Sequence, residues 1–273
     1  MNKETFRADC HIHTRNSDGY DDIDSIVAAC VQNNLTHMVA TDHDTFRGYE
    51  EIRYKAAAAG ISTVKSIEIS AIDKDAGKRI HLLGYNIKDE EIINRICDVM
   101  IEQRNEKAAR QISELKALGY DINYDQLYDF SGGYIFKQHI FDVLYRTGQT
   151  ESMFPEINET LFRNGGSCEI KMEYIDIRKA VRAVKDSGGY AVIAHPGQQD
   201  NLYIVDELVR EGLDGLELNH ASNSEKYRKL ITEKALQHGL ILTGGSDYHG
   251  RYSRRDTGIG EYLCEHSAHI RFQ

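Results

Sequence analysis

Six times along this chain a short apolar run stops at a histidine or a carboxylate. The segments are DCHIHTRNSDG from Asp9, VATDHDT from Val39, IEIS from Ile67, IHLLGY from Ile80, VIAHPG from Val192 and GGSDYHG from Gly244. Stretches with helical spacing separate most of them. Residues 21–33, for instance, carry Ile23, Ile26, Val27 and Cys30, which share one helix face. Such βαβα punctuation predicts an α/β fold around a mostly parallel sheet. Every polar motif would then stand at the C-terminal end of its strand, the end where closed α/β barrels do their chemistry.

The coarse element reading follows the same logic. Strands are predicted over 6–12, 37–41, 62–69 (ending at Glu68) and 80–85, and helices over 21–33 and 46–59, the second stopped by Gly60. Residues 89–118 are charged and helix-favouring, and 120–160 continue with short helical patches and turns at Gly132-Gly133 and Gly148. The α/β rhythm resumes with a helix over 175–186 and strands over 189–194, 215–218 and 240–243. This divides the chain into a first barrel part, 1–88, a helical insert, 89–168, and a second barrel part, 169–273.

Strand geometry brings the polar residues together. Residues i and i+2 of a strand face the same way, so His11 with His13, and Asp247 with His249, can each aim into one mouth. His11, His13, Asp18, His43, Glu68, His81, His195, Asp247 and His249 make six imidazoles and three carboxylates. That set suits Mn²⁺, Fe²⁺ or Zn²⁺ better than Ca²⁺. Nine donors exceed one ion's needs and suit two or three, with a bridging carboxylate. Singly, each residue has an ordinary alternative: a helix cap at Asp42, a strand stop at His195, an exposed edge at Glu68. All of those alternatives would have to hold together at one end of one sheet.

Composition bears on partners. The net charge of −10 repels nucleic acid, membranes and anionic substrates, so bound cations would have to supply local attraction for a phosphate ester. The start, MNKETFRADC, lacks the apolar core of a signal peptide, and no run approaches a membrane span. Five scattered cysteines without a Cys-x-x-Cys read as reduced thiols of a cytoplasmic protein. No membrane association and no protein partner is indicated.

The six segments, in this order from Asp9 to Gly250, resemble the successive motifs of the polymerase-and-histidinol-phosphatase (PHP) family. The resemblance implies a distorted (β/α)7 barrel with a helical insertion, a centre of two or three divalent ions (manganese first, iron or zinc next), and hydrolysis of phosphate esters by a metal-bridged hydroxide. It implies that His11, His13, Glu68 and Asp247 hold one metal. Glu68, His81 and His195 hold a second, with Glu68 bridging, and Asp18, His43 and His249 a third. His195, Glu68 and Asp247 are the implied catalytic residues. The helical insert resembles that of stand-alone phosphatases acting on nucleoside 3′,5′-bisphosphates, short RNA 5′-ends or cyclic ribose phosphates. Where many of them carry Arg-Pro-His, this chain has Lys137-Gln138-His139. A planar guanidinium fork has become a point charge, which favours small phosphorylated metabolites over nucleoside bisphosphates. Lys137, His139, His220 and Arg251 are the candidate substrate contacts. Two rivals are a non-catalytic PHP module and metal-dependent amide hydrolysis on a related barrel. The first should have lost donors. The second often uses a modified Lys at a strand end, and Lys65 falls inside a predicted strand.

Overall fold

The computed structural model of the chain describes residues 6–265 and Ala268. β1 (Ala8–Ile12) and β2 (His37–Ala40) pair in parallel across α1 (Ile23–Gln32). Helix α1 begins where the Asp22 carboxylate accepts the Ser25 N–H at 2.9 Å, and it buries the predicted stripe of Ile23, Ile26, Val27 and Cys30. After α2 (Tyr49–Ala58), β3 (Ile67–Asp73) turns back on β4 (Lys78–Tyr85) as an antiparallel hairpin. The turn has local causes. Asp73 accepts the Asp75 N–H at 3.1 Å, and Gly77 supplies a φ of 66°.

The helical segment follows: α3 (Glu90–Ala117), α4 (Tyr124–Phe130), α5 (Lys137–Arg146) and the one-turn α6 (Ile157–Thr160). The remainder runs β5 (Ile175–Asp176), α7 (Ile177–Asp186), β6 (Tyr190–Ile193), α8 (Pro196–Gln199), α9 (Val205–Arg210), β7 (Gly215–Asn219), α10 (Glu225–His238) and β8 (Ile241–Gly244). No described helix is long and apolar enough to cross a membrane.

The architecture is α/β with a mixed sheet, ordered β5-β3-β4-β6-β7-β8, beside the β1-β2 pair. No continuous ladder closes a barrel among the described residues. Single bridges link the two sheets instead: Ile12 with Tyr248 just after β8, and His43 with Glu68. The mostly parallel sheet expected from the sequence needs correction, because β4 runs antiparallel to both β3 and β6. The strand expected over 62–69 begins later, so Glu68 opens β3 and does not end it. His81 lies in the first half of β4. The reversal of β4 carries that half to the end of the sheet where the other motifs stand. In register, Ser70 faces His81 and Glu68 faces Leu83, so Glu68 and His81 sit diagonally on one face.

Alternation along the strands sorts two apolar layers. Ala8, Cys10, Val39, Leu83, Tyr85, Val192 and Ala194 face inward and pack beneath the polar motifs, where the Tyr85 hydroxyl donates to the Cys10 carbonyl at 2.9 Å. Ile69, Leu82, Ile193 and Leu216 face outward against Val181, Val184, Leu208 and Ile231 of the helices. The insert has its own core of Ile112, Leu115, Leu127, Ile140, Phe141 and Phe162. Helix α3 belongs to both bodies: Ile93 and Cys97 join the sheet's outer layer, Ile112 and Leu115 the insert.

Candidate metal centre

The nine donors named from the sequence gather at one end of the strands. They come from the ends of β1, β6 and β8, from the loops after β1 and β2, and from the facing hairpin. The turns that deliver two of them are left-handed at non-glycine residues: φ is 28° at His195 and 51° at Asp247. Such conformations cost about 1–3 kcal/mol each and concentrate at functional sites.

Their atoms form three groups, each with all donor atoms within 4.8 Å of one another: His11, His13, Glu68 and Asp247; His13, Asp18, His43 and His249; and His43, Glu68 and His81. In the first group, His11 Nε2 lies 3.2 Å from His13 Nε2, 3.3 Å from Glu68 Oε2 and 3.4 Å from Asp247 Oδ1. His13 Nε2 lies 3.0 Å from Glu68 Oε2 and 3.3 Å from Asp247 Oδ1. Donors held about 2.0–2.2 Å from one cation would stand about 3.0–3.5 Å apart, so these residues fit a shared ion. Glu68 also meets His81 Nδ1 at 2.9 Å and His195 Nε2 at 3.0 Å through Oε1, and His43 Nε2 at 3.4 Å through Oε2. Its two oxygens thus face different neighbours, as a bridging carboxylate's do. The second group is looser: Asp18 stands 3.3 Å from His249 and 3.9 Å from His43.

The grouping refines the sequence assignment in two places. His13 and His43 each touch two groups, and His195 reaches Glu68 but lies outside the tight clusters.

Electrostatics follow from burial and proximity. Burial works to raise the Glu68 carboxyl, but His43, His81 and His11 outweigh it and hold it well below the usual carboxylate range. Asp18 and Asp247 are held down in the same way, against burial, by His249 with His43 and by His11 with His249. Burial pushes His43 down to about 4.

The four expected substrate contacts divide. Lys137, on the first turn of α5, lines a cavity of about 230 Å³ that opens on Asp18, His43 and His81. Its amine donates to Asn158 at 2.8 Å. His220 is buried beside the centre, with Nε2 3.3 Å from Asp247. His139 and Arg251 are engaged by other parts of the chain. His139 Nδ1 accepts the Phe136 N–H at 3.1 Å, and its ring packs against Phe130, Phe136 and Tyr252, so it caps α5. Arg251 pairs with the buried Asp142 and stacks 4.1 Å from the Tyr20 ring.

Four further residues were missed. Arg79, Arg104 and Lys107 line the same cavity as Lys137. Arg79 stacks 3.7 Å over Tyr174, and Arg104 stacks 4.3 Å over Phe136 while pairing with Asp44 at 2.7 Å. Arg79 stands two residues before His81 and so shares its face. Arg104 and Lys107 interrupt the buried stripe of α3 between Ile101 and Gln111. Only the Arg79 signal is local to the sequence. The fourth, Glu217, is fully buried behind His11, with its Oε1 2.9 Å from His11 Nδ1. Gln138 deserves mention beside them: its amide donates to Asp18 at 3.0 Å. It divides the cationic cavity from a larger one, about 410 Å³, that opens on Asp247 and His249.

A convergent set of imidazoles and carboxylates beside a cationic cavity, on this fold, defines a hydrolase acting on phosphoester bonds. A PHP-domain model matches residues 9–173, and the chain belongs to the PHP family. Three of the nine donors (His195, Asp247 and His249) lie beyond that match and join it through the fold. The chain is 31% identical to a phosphoribosyl 1,2-cyclic phosphate 1,2-diphosphodiesterase from Eggerthella lenta, over 90% of this chain and 95% of that one. It is 27% identical to a 3′,5′-nucleoside bisphosphate phosphatase from Chromobacterium violaceum, over 93% and 92%. A crystal structure from Bifidobacterium adolescentis, provisionally described as a metal-dependent phosphoesterase, superposes with a TM-score of 0.87 at 26% identity, covering 97% of this chain and 94% of that one.

Proposed function

We propose that the chain hydrolyses a small phosphorylated ribose or nucleotide, as a phosphate monoester or a cyclic phosphate, and that the substrate carries a second anionic group. The cationic cavity carries this reading. Arg79, Lys107 and Lys137 have no ion-pair partner among the described residues, and the cavity opens directly on Asp18, His43 and His81. At about 230 Å³ it is smaller than the roughly 300–1,000 Å³ of drug-sized pockets. A phosphate with part of a sugar fits it better than a nucleobase does. The likeness to the phosphoribosyl cyclic phosphate enzyme points the same way.

The donor set fits two or three divalent ions, manganese first and iron or zinc next, on what we take as a distorted (β/α)7 barrel divided at 88 and 168. Such ions would acidify water and neutralise phosphoryl oxygens. The chain's own residues do the rest. Glu68 joins two donor groups and sets their spacing. Arg79, Lys107 and Lys137 hold the non-reacting anion. Asp247, 3.3 Å from His220, orients that imidazole, and His220 or His195 delivers a proton to the leaving oxygen. A non-catalytic module would not need the full donor set. Five free cysteines suit a cytoplasmic setting.

A second reading, action on nucleoside 3′,5′-bisphosphates or short RNA 5′-ends, is favoured by the larger cavity, where Arg163, Arg254 and Arg255 could follow a longer chain. Assaying the manganese-loaded protein against ribose cyclic phosphates, monoesters, bisphosphates and short oligonucleotides separates the two. Highest kcat/KM on a base-free ribose phosphate with two phosphoryl groups supports the first reading. Preference for nucleoside bisphosphates or oligonucleotides replaces it with the second, and full activity without metal removes both.

A further inference from the structure

We infer that Glu217 is a positioning residue for the centre, one carboxylate that orients two donor histidines from separate strands. This rests on the reading of the cluster as a cation site. Glu217 projects from β7 and is fully buried. A buried carboxylate is costly unless each oxygen finds a donor. Here Oε1 stands 2.9 Å from His11 Nδ1, and Oε2 accepts the His195 backbone N–H at 2.7 Å.

The first contact sets a tautomer. An ionised carboxylate only accepts, so His11 Nδ1 must carry a proton. With that proton held on Nδ1, a ring that gives up its other proton to a cation would turn a bare Nε2 toward Glu68, Asp247 and His13. The outward nitrogens of the neighbouring rings have no such support. His249 Nδ1 meets only the cluster's own Asp247, its carbonyl at 2.8 Å and its Oδ1 at 3.5 Å, and Nδ1 of both His43 and His195 is buried without a hydrogen-bond partner. Among the described residues, His11 is the donor histidine backed by a carboxylate outside the cluster.

The second contact holds a strained turn. His195 adopts φ 28° and ψ 63°, and the bond from its amide to Oε2 fixes that turn where Nε2 lies 3.0 Å from Glu68 Oε1. Glu217 thereby aims one imidazole at each oxygen of Glu68.

The test compares wild type with Glu217→Gln and Glu217→Asp. Manganese titration calorimetry gives affinity and stoichiometry, the zinc-loaded proteins give the His11 ring N–H by nitrogen-15 NMR, and melting of the metal-free proteins gives stability. Gln can satisfy only one of the two donors, because its amide nitrogen must face either the His195 N–H or His11 Nδ1. Manganese affinity is expected to fall about 10- to 100-fold, the range for supports of metal-bound histidines, and the His11 Nδ1–H signal to shift or vanish. Asp keeps the charge, so it should retain that signal and lose less affinity. A purely structural Glu217 would lower the melting temperature with the signal and affinity unchanged, which would overturn the inference. So would a Gln variant that binds manganese within about twofold of wild type. If Gln does not fold, an Asp variant that lacks the Nδ1–H signal overturns it equally. Wild type that binds no manganese instead overturns the cation site itself, and the inference with it.

Discussion

The end of the sheet and the helical insert meet across Asp18 and Gln138, yet they obey different rules. At the sheet end, each donor is delivered by a short strand or the turn after it, so its direction follows from the strand and from the turn that closes it. On the insert side, cations reach the same space from α3 and α5, where helix packing decides where they point, and Arg79 of β4 joins them. The first arrangement tolerates little change, because its donors stand 3.0–3.4 Å apart. The second holds a ligand with long side chains and can be retuned one residue at a time. Chemistry should therefore break at the sheet end, and affinity at the insert.

The sharpest way to break that contrast is to remove metal. Dialysis against a chelator should cost several kcal/mol of barrier lowering, about a thousandfold in kcat. Elemental analysis before dialysis should give two or three Mn, Fe or Zn per chain. Next in size is Glu68→Gln, which removes the charge shared by two groups. It should lose at least one metal per chain and most of kcat while circular dichroism stays unchanged, and Asp18→Asn should lose less. Equal effects of the two variants would take the bridge out of the scheme.

Effects on the insert side should appear in KM. Lys137→Ala or Arg79→Ala should cost about 1.5–3 kcal/mol of binding, roughly 10- to 150-fold in KM, if each makes a charge-assisted bond to substrate. His139→Ala, by contrast, removes a cap and should cost about 1 kcal/mol of stability with KM unchanged. A KM effect at His139 with none at Lys137 would favour the sequence assignment of His139 over its role as a cap.

The smallest effect is one of pH. Burial, reinforced by Arg163 and Lys107, brings Lys137 down to about 8, and burial with Arg104 and Arg79 does the same to Lys107. Both amines lose charge as pH rises through about 8, so KM for an anionic substrate should climb between pH 7 and 9.5. Stability should move oppositely. From about 8 to 10.5 the unfolded chain binds more protons at these lysines than the folded one, so their contribution grows more favourable with pH. Calorimetry above pH 8 should also detect proton uptake as substrate recharges them.

Legibility divided along the same boundary. His11-x-His13 could be placed from alternation, whereas Asp247-x-His249 lies beyond the end of β8 with Asp247 at φ 51°, and α1 appeared almost residue for residue because its apolar stripe and Asp22 cap are local. The strand direction of β4 was missed, although Asp73 to Gly77 is a hairpin turn: six motifs in order suggested parallel strands more loudly than one turn argued against them. Glu217 has no role readable from its own strand, because the contact that gives it one is with His11, 206 positions away in sequence. Arg104 and Lys107 looked like solvated charges on a charged helix. Their burial depends on how α3 packs between two bodies, which no local pattern encodes. At His139 a family motif suggests substrate, while the structure shows its ring nitrogen accepting the Phe136 N–H of its own helix, a local contact that the motif does not convey.

Helix α3 is a shared beam, with Ile93 and Cys97 set in one core and Ile112 and Leu115 in the other. Midway along it, Asn105 clamps the loop leading into α5, donating to the Gly133 carbonyl at 2.7 Å and accepting the Ile135 N–H at 3.0 Å. The insert is therefore not a cassette that can be exchanged at residue 89. A chimera that takes a relative's insert should keep the first turns of α3 and join after Ile101. Transplanted whole, the foreign helix would bring the wrong surface to the sheet, and the metal centre would lose its footing along with the substrate cavity.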